Sequence, residues 1–300
     1  MTPPASLQTL LTGAIDFAGL FPPAALSMRD AVARYASYRG AADAWALGRL
    51  VVPLSRAEEL VTAQGELLPP SRGWRLSVLL GEDPVADATR IRAFNAAHAG
   101  MALIDSAEAK LTGTSATVRR GIAKLAENVP PSVRLFIETP TNEELGVFIA
   151  AIAAANVCAK IRTGGVTTDA FPGARTVAHF LTCCAEHDTR FKATAGLHHP
   201  WRGSYPLTYE PNAQRGTMFG FLNVMIAAVV ARAGGTFEDI VDILEAERGS
   251  DFRFGDDELR WRDFHLTRQH LVEAHATFAL SFGSCSFDEP VHDLRRLALL

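Results

Sequence analysis

Lysine is scarce in this 300-residue chain: Lys110, Lys124, Lys160 and Lys192 are the only four, and arginine supplies the rest of the 29 basic side chains. An excess of positive charge is lacking too, since 33 acidic residues bring the formal net charge to -4. That leaves no broad electrostatic footprint for nucleic acid and points to a small-molecule partner. Cysteine is sparse. Cys158, Cys183, Cys184 and Cys285 contain no C-x-x-C unit, which excludes a disulfide scaffold and favours a reducing, cytoplasmic setting. The longest apolar stretch, Met218 to Ala231, is broken by Gly220 and Asn223 and is too short to span a bilayer, so no membrane partner is expected. MTPPASLQTL lacks the basic and apolar regions of a secretory signal, and no segment is set aside as a targeting peptide. Low-complexity tracts, solenoid-period repeats and long Pro/Ser/Gly linkers are also missing.

What is present is enough apolar material for a large core: 48% hydrophobic against 21% charged residues excludes disorder. Apolar runs of strand length alternate with helix-period segments, the pattern of repeated βα units. Strand-like segments fall near 14–17, 44–52, 75–80, 101–105, 132–138, 157–162, 190–195 and 278–284. The first helix has Ser27 as N-cap, Met28, Ala31, Val32 and Tyr35 on one face, and Gly40 as its stop. Thr141 to Glu144 reads as a capping box before Leu145. Between the seventh and eighth strands lies a long stretch, 212–275, that reads as largely helical. This element list is that of an α/β fold, a (β/α)8 TIM barrel, with residues 1–300 as a single domain. A doubly wound open sheet produces the same alternation with fewer strands. The apolar helix around Phe219 to Val230 suits either a homo-oligomer surface or burial within one chain.

Active sites of such barrels are built at the C-terminal ends of the strands. That rule selects Asp16, Pro53, Glu82, Asp105, Glu138, Lys160, Arg162, Lys192, Thr194, His198, His199 and Ser284. Lys160 and Lys192 stand out because each interrupts an otherwise apolar strand, and buried lysine needs a reason. Side chains alternate along a strand, so Lys160 shares a face with Arg162 and Lys192 with Thr194. Two inward lysines on neighbouring strands are expected to depress each other's pKa, with desolvation adding to the effect. A neutral amine is what Schiff-base chemistry with a carbonyl requires. The competing structural role is an outward lysine whose stem packs while the ammonium reaches water.

The segments AKIRTGG and FKATAG resemble the lysine-bearing strands of deoxyribose-phosphate aldolase and its class I aldolase relatives. The likeness extends to IDFAGLFPP, ALIDS and SFGSCS, in order along the chain. It implies a carbon-carbon lyase without a cofactor or metal, in which Lys160 is the Schiff-base nucleophile and Lys192 lowers its pKa. Asp105 then serves proton transfer and Asp16 supports the network. Each aspartate is also a candidate strand-end cap or salt-bridge partner.

Three departures from the family pattern shape the expected substrate. Arg162 stands where the family has a small residue, suggesting a bound anion. Ala195-Gly196 replaces a Gly-Gly and is followed by Leu197-His198-His199. Asp288 and Glu289 follow the Gly283-Ser284 loop, where they oppose a phosphate at a helix N-terminus; Ser286 with Glu289 also reads as a capping box. The expected substrate is therefore a small anionic oxo-compound, with Arg162, Thr163, Thr194, Glu138, His198, His199, Gly283 and Ser284 as its contacts. Two alternatives remain open: a metal-dependent hydrolase or class II lyase using His198 or His199 with Glu138, and a non-catalytic barrel that binds an anionic metabolite. Adjacent residues on an extended segment point to opposite sides, so one of the two histidines is expected to face the pocket. His265, His270 and His275 read as a solvated helix face. Walker A, Rossmann and G-x-S-x-G patterns are absent. Cys285 has the setting of a reactive thiol at a helix N-terminus, although a small buried cysteine is the default.

Overall fold

A computed structural model describes residues 3–67 and 73–300. A short helix α1 (Ala5–Leu11) precedes seven strands, each followed by its return segment. These are β1 (Ile15–Phe17), α2 (Met28–Arg39), β2 (Leu47–Pro53), α3 (Ala57–Leu67), β3 (Trp74–Leu79), α4 (Pro84–Ala97), β4 (Ala102–Lys110), α5 (Ser115–Asn128), β5 (Arg134–Glu138), α6 (Leu145–Ala154), β6 (Cys158–Arg162), α7 (Ala174–Glu186) and β7 (Phe191–Thr194). Then come a hairpin, β8 (Gly203–Pro206) and β9 (Arg215–Met218), two helices, α8 (Phe221–Arg232) and α9 (Phe237–Glu245), and three short strands, β10 (Phe252–Phe254), β11 (Glu258–Trp261) and β12 (Phe264–Thr267). The chain continues through α10 (Arg268–Thr277), β13 (Ala279–Ser284) and α11 (Asp288–Arg296).

Eight strands close in the order β1-β13-β7-β6-β5-β4-β3-β2, and every neighbouring pair is parallel. Closure excludes the doubly wound sheet and leaves no free edge in the barrel sheet. Local signals behave as expected in α2: the Ser27 hydroxyl accepts from the Asp30 amide at 3.1 Å, and Met28, Ala31, Val32 and Tyr35 are buried. The apolar faces of α5 and α7 likewise turn inward through Val118, Ile122 and Leu125 and through Val177, Phe180, Leu181 and Cys184.

Four local expectations are corrected. β4 runs to Lys110 instead of ending at Asp105, because Ser106 to Ala109 are buried in the barrel wall. α6 starts without a capping box; the Asn142 side chain accepts from the Glu144 amide instead. The segment 212–275 is not largely helical, since β10, β11 and β12 form an antiparallel sheet between α9 and α10. His265 accordingly sits on a strand, with only His270 and His275 on α10. The apolar run in α8 is buried within the chain from Phe221 to Val230, so intramolecular packing accounts for it. No helix among the described residues is long and apolar enough to cross a membrane.

Candidate active site

The parallel register sets Lys160 directly beside Lys192 on β6 and β7. Both point into the barrel, Lys192 fully buried and Lys160 at 5% exposure. Their ammonium groups do not face each other bare. Glu108, from the extended end of β4, places one carboxylate oxygen 2.7 Å from Lys192 Nζ and the other 3.0 Å from Lys160 Nζ. Asp16 on β1 takes a second Lys192 hydrogen bond at 2.7 Å and one from the Ser281 hydroxyl at 2.8 Å. Glu138 on β5 pairs with Lys160 at 3.0 Å and with the exposed Lys110 at 3.6 Å. The barrel floor is thus a chain of alternating charge, and each buried cation touches two carboxylates.

That alternation reverses the expected electrostatics. Burial works to lower the Lys192 pKa, but the charges of Asp16 and Glu108, with their hydrogen bonds, outweigh it and raise it above the ordinary lysine value. Burial works to raise Glu108, and the two ammonium groups outweigh it, bringing the carboxyl down to about 2. Lys192 is therefore a firmly protonated ion-pair partner.

Above this floor opens a cavity of about 670 Å³, lined by Lys160, Arg162, Thr194 and Gly283 and by apolar groups such as Phe21, Val51 and Leu79. Arg162 makes no ion pair among the described residues. Ala195 and Gly196 turn the chain after β7, both in the left-handed region at φ 67° and 74°; a Cβ at Gly196 would meet the Phe171 ring at 2.8 Å. The turn delivers both histidines to the cavity, not one. His199 Nδ1 lies 2.6 Å from Asp293 and its ring stacks on Tyr205. His198 Nδ1 lies 2.9 Å from Glu289, and its ring nitrogens are 3.9 Å from Cys285 Sγ. Tyr209, at the tip of the β8–β9 hairpin, donates to Glu289 at 2.8 Å and lies 3.4 Å from Cys285 Sγ. Burial disfavours the His198 cation, but the hydrogen bonds and charges of Cys285 and Glu289 raise its pKa to about 10. Glu289 is held below its ordinary range: burial opposes this, and its bond to His198 prevails.

The other expected site residues are dispersed. Thr163 is buried and donates to the Ala195 carbonyl at 2.7 Å, tying the β6 and β7 loops together. The Ser284 hydroxyl is buried and accepts from the Ser286 amide at 3.4 Å. Ser286 Oγ accepts from the Glu289 amide at 3.2 Å, half of the expected capping box, while the Glu289 carboxylate turns to His198 and Tyr209. Asp105 lies apart from the mouth, held by Arg49 and Arg75. Glu138 joins the lysines and not the histidines. Among the described residues no group of three or more His, Cys, Asp or Glu side chains is placed to hold a metal ion. Sequence reasoning missed Glu108, because AEAK has a helix-forming composition, and Tyr209, an isolated aromatic; it weighed Cys285 as a reactive thiol at a helix N-terminus but left it outside the site in favour of the buried-cysteine default.

No family model and no curated protein matches this chain. Among solved structures it is similar to the catalytic domain of a hyperthermophilic chitinase from Pyrococcus furiosus, at 13% identity and a TM-score of 0.41, over 79% of this chain and 93% of that one. It is also similar to the Bacillus cereus spore cortex-lytic enzyme SleL, at 10% identity and a TM-score of 0.40, over 96% of this chain and 74% of that one. Likeness of this order transfers neither activity nor substrate. The expected class I aldolase kinship finds no support in these comparisons and is withdrawn, and the expected Schiff-base lyase activity is corrected by the site itself. The site offers a physical reason: the amine meant to attack is clasped by Glu108 and Glu138, and the lysine meant to lower its pKa spends its charge on Asp16 and Glu108.

Proposed function

We propose that this protein is a thiol-dependent hydrolase, acting at the C-terminal mouth of the barrel on a small, partly apolar molecule with an acyl carbon and an anionic group. The observation that carries this reading is the grouping of Cys285, His198 and Glu289 on the cavity wall, a nucleophile beside a ring that a third group orients. In the reacting form His198 holds the proton and Cys285 is the thiolate. The sulfur bonds to the acyl carbon as the carbonyl electron pair moves onto oxygen. Collapse of that adduct breaks the bond to the leaving group, which takes its proton from His198. The neutral imidazole then draws a proton from water, whose oxygen attacks the thioester and releases the acid and the thiolate. Arg162, unpaired at the rim, supports an anion on the substrate, and the apolar wall supports its carbon body. A thiol nucleophile suits the reducing, cytoplasmic setting expected from the cysteine usage.

Hydrolysis of a panel of short-chain esters and thioesters bearing a terminal carboxylate tests the proposal. Cys285→Ser is expected to lower kcat/KM about 10⁴-fold, and mass spectrometry of the wild type during turnover is expected to find an acyl group on the Cys285 peptide. Hydrolysis that survives Cys285→Ser within twofold, or an adduct on another residue, would overturn it.

A further inference from the structure

A second cavity, of about 580 Å³, opens at the opposite end of the barrel. Arg49 and Arg75 come from the starts of β2 and β3, Arg134 opens β5, and Arg190 precedes β7. Their only acidic companion in the lining is Asp105. Asp105 takes the Arg49 guanidinium in two hydrogen bonds, at 2.6 and 3.1 Å, and Arg75 Nε at 2.7 Å. Arg134 and Arg190 make no ion pair among the described residues. Burial keeps the lining thiol of Cys158 above its ordinary pKa. Arg134 is pushed below the ordinary arginine value by burial and by the charges of Arg49 and Arg190, which outweigh the opposing pull of Cys158 and Asp105.

We infer that this cavity is a binding site for a phosphorylated small molecule, held by Arg134 and Arg190 with Arg49 and Arg75 positioned by Asp105. Planar guanidinium forks match phosphate oxygens two at a time, and Asp105 already fixes two of the four, Arg49 and Arg75, in place. The cavity exceeds the space a lone phosphate fills, leaving room for an organic body against Pro130, Pro131 and Val133. Four guanidinium groups around one carboxylate repel one another when the site is empty, so an anion bound only by the folded chain stabilises it.

Pyrophosphate is the probe, titrated by calorimetry into the full-length protein at an ionic strength held constant with sodium chloride. One saturable site is expected, with the Kd weakened at least fivefold in Arg134→Gln/Arg190→Gln and changed less than twofold in Arg162→Gln at the other mouth. Absence of saturable binding, a double variant within fivefold of wild type, or loss of binding in Arg162→Gln would overturn the inference. Should the double variant fail to fold, Arg190→Gln alone is read in its place, with a threefold weakening as the dividing line.

Discussion

At one end of the barrel Lys160 and Lys192 share three carboxylates, Asp16, Glu108 and Glu138; at the other, Arg49 and Arg75 share Asp105 while Arg134 and Arg190 line the same cavity with no ion pair among the described residues. Both are cation clusters drawn from several strands of one barrel, yet they carry opposite physical consequences. Where acidic residues from β1, β4 and β5 converge on the lysines, burial is compensated and the amines become part of the wall. Where the arginines converge with one acid, charge is left over, and a ligand is what completes the cluster. The number of opposite charges within reach, more than the presence of a buried cation, decides whether it supports the fold or binds a ligand.

The largest effect that breaks this contrast is removal of the shared carboxylate. Glu108→Ala leaves Lys192 with one partner and Lys160 with Glu138 alone, and is expected to cost about 3–5 kcal/mol in urea unfolding. A loss under about 1 kcal/mol would show that the lysines find other compensation. The His198–Glu289 pair is next. Its histidine pKa is raised from 6.5 to about 10, so its stabilisation is complete below about pH 6.5 and is lost as pH rises through about 10. The stability difference between wild type and His198→Gln, ~1–3 kcal/mol for a charged hydrogen bond, should shrink over that interval when melting is followed from pH 6 to pH 10. A constant difference would detach His198 from the charge balance of the mouth. The smallest effect belongs to Asp105→Asn, about 1–2 kcal/mol by chemical unfolding, because Arg75 is largely exposed and the mostly buried Arg49 loses a charge partner but keeps an amide oxygen to donate to. A cost equal to that of Glu108→Ala would make the two ends alike.

The architecture was legible because it rests on local period and composition. The eight barrel strands, the Ser27 cap, and the inward faces of α2, α5 and α7 follow from side-chain spacing that no tertiary contact needs to override. The two inward lysines were legible for the same reason, as polar interruptions of apolar strands. Their chemistry was not. Glu108 lies 52 residues from Lys160 and 84 from Lys192, in a segment whose Ala, Glu and Lys favour a helix until burial and ion pairing hold it as strand. The strand-rich part of 212–275 was obscured in the same way, because β10, β11 and β12 are each only three or four residues long, too short for a period to show.

By itself the sequence determined that the chain folds into alternating strands and helices, that its charge is nearly balanced, and that two of its four lysines, Lys160 and Lys192, interrupt apolar barrel strands. Only the tertiary structure decided what those lysines are for. Closing the sheet brought Asp16, Glu108 and Glu138 from three strands onto two amines, and carried Cys285 to His198 across 87 residues of chain. The cause is general: hydrophobic period is a property of neighbours in sequence, whereas pKa and nucleophile pairing depend on charges a few ångströms away in space.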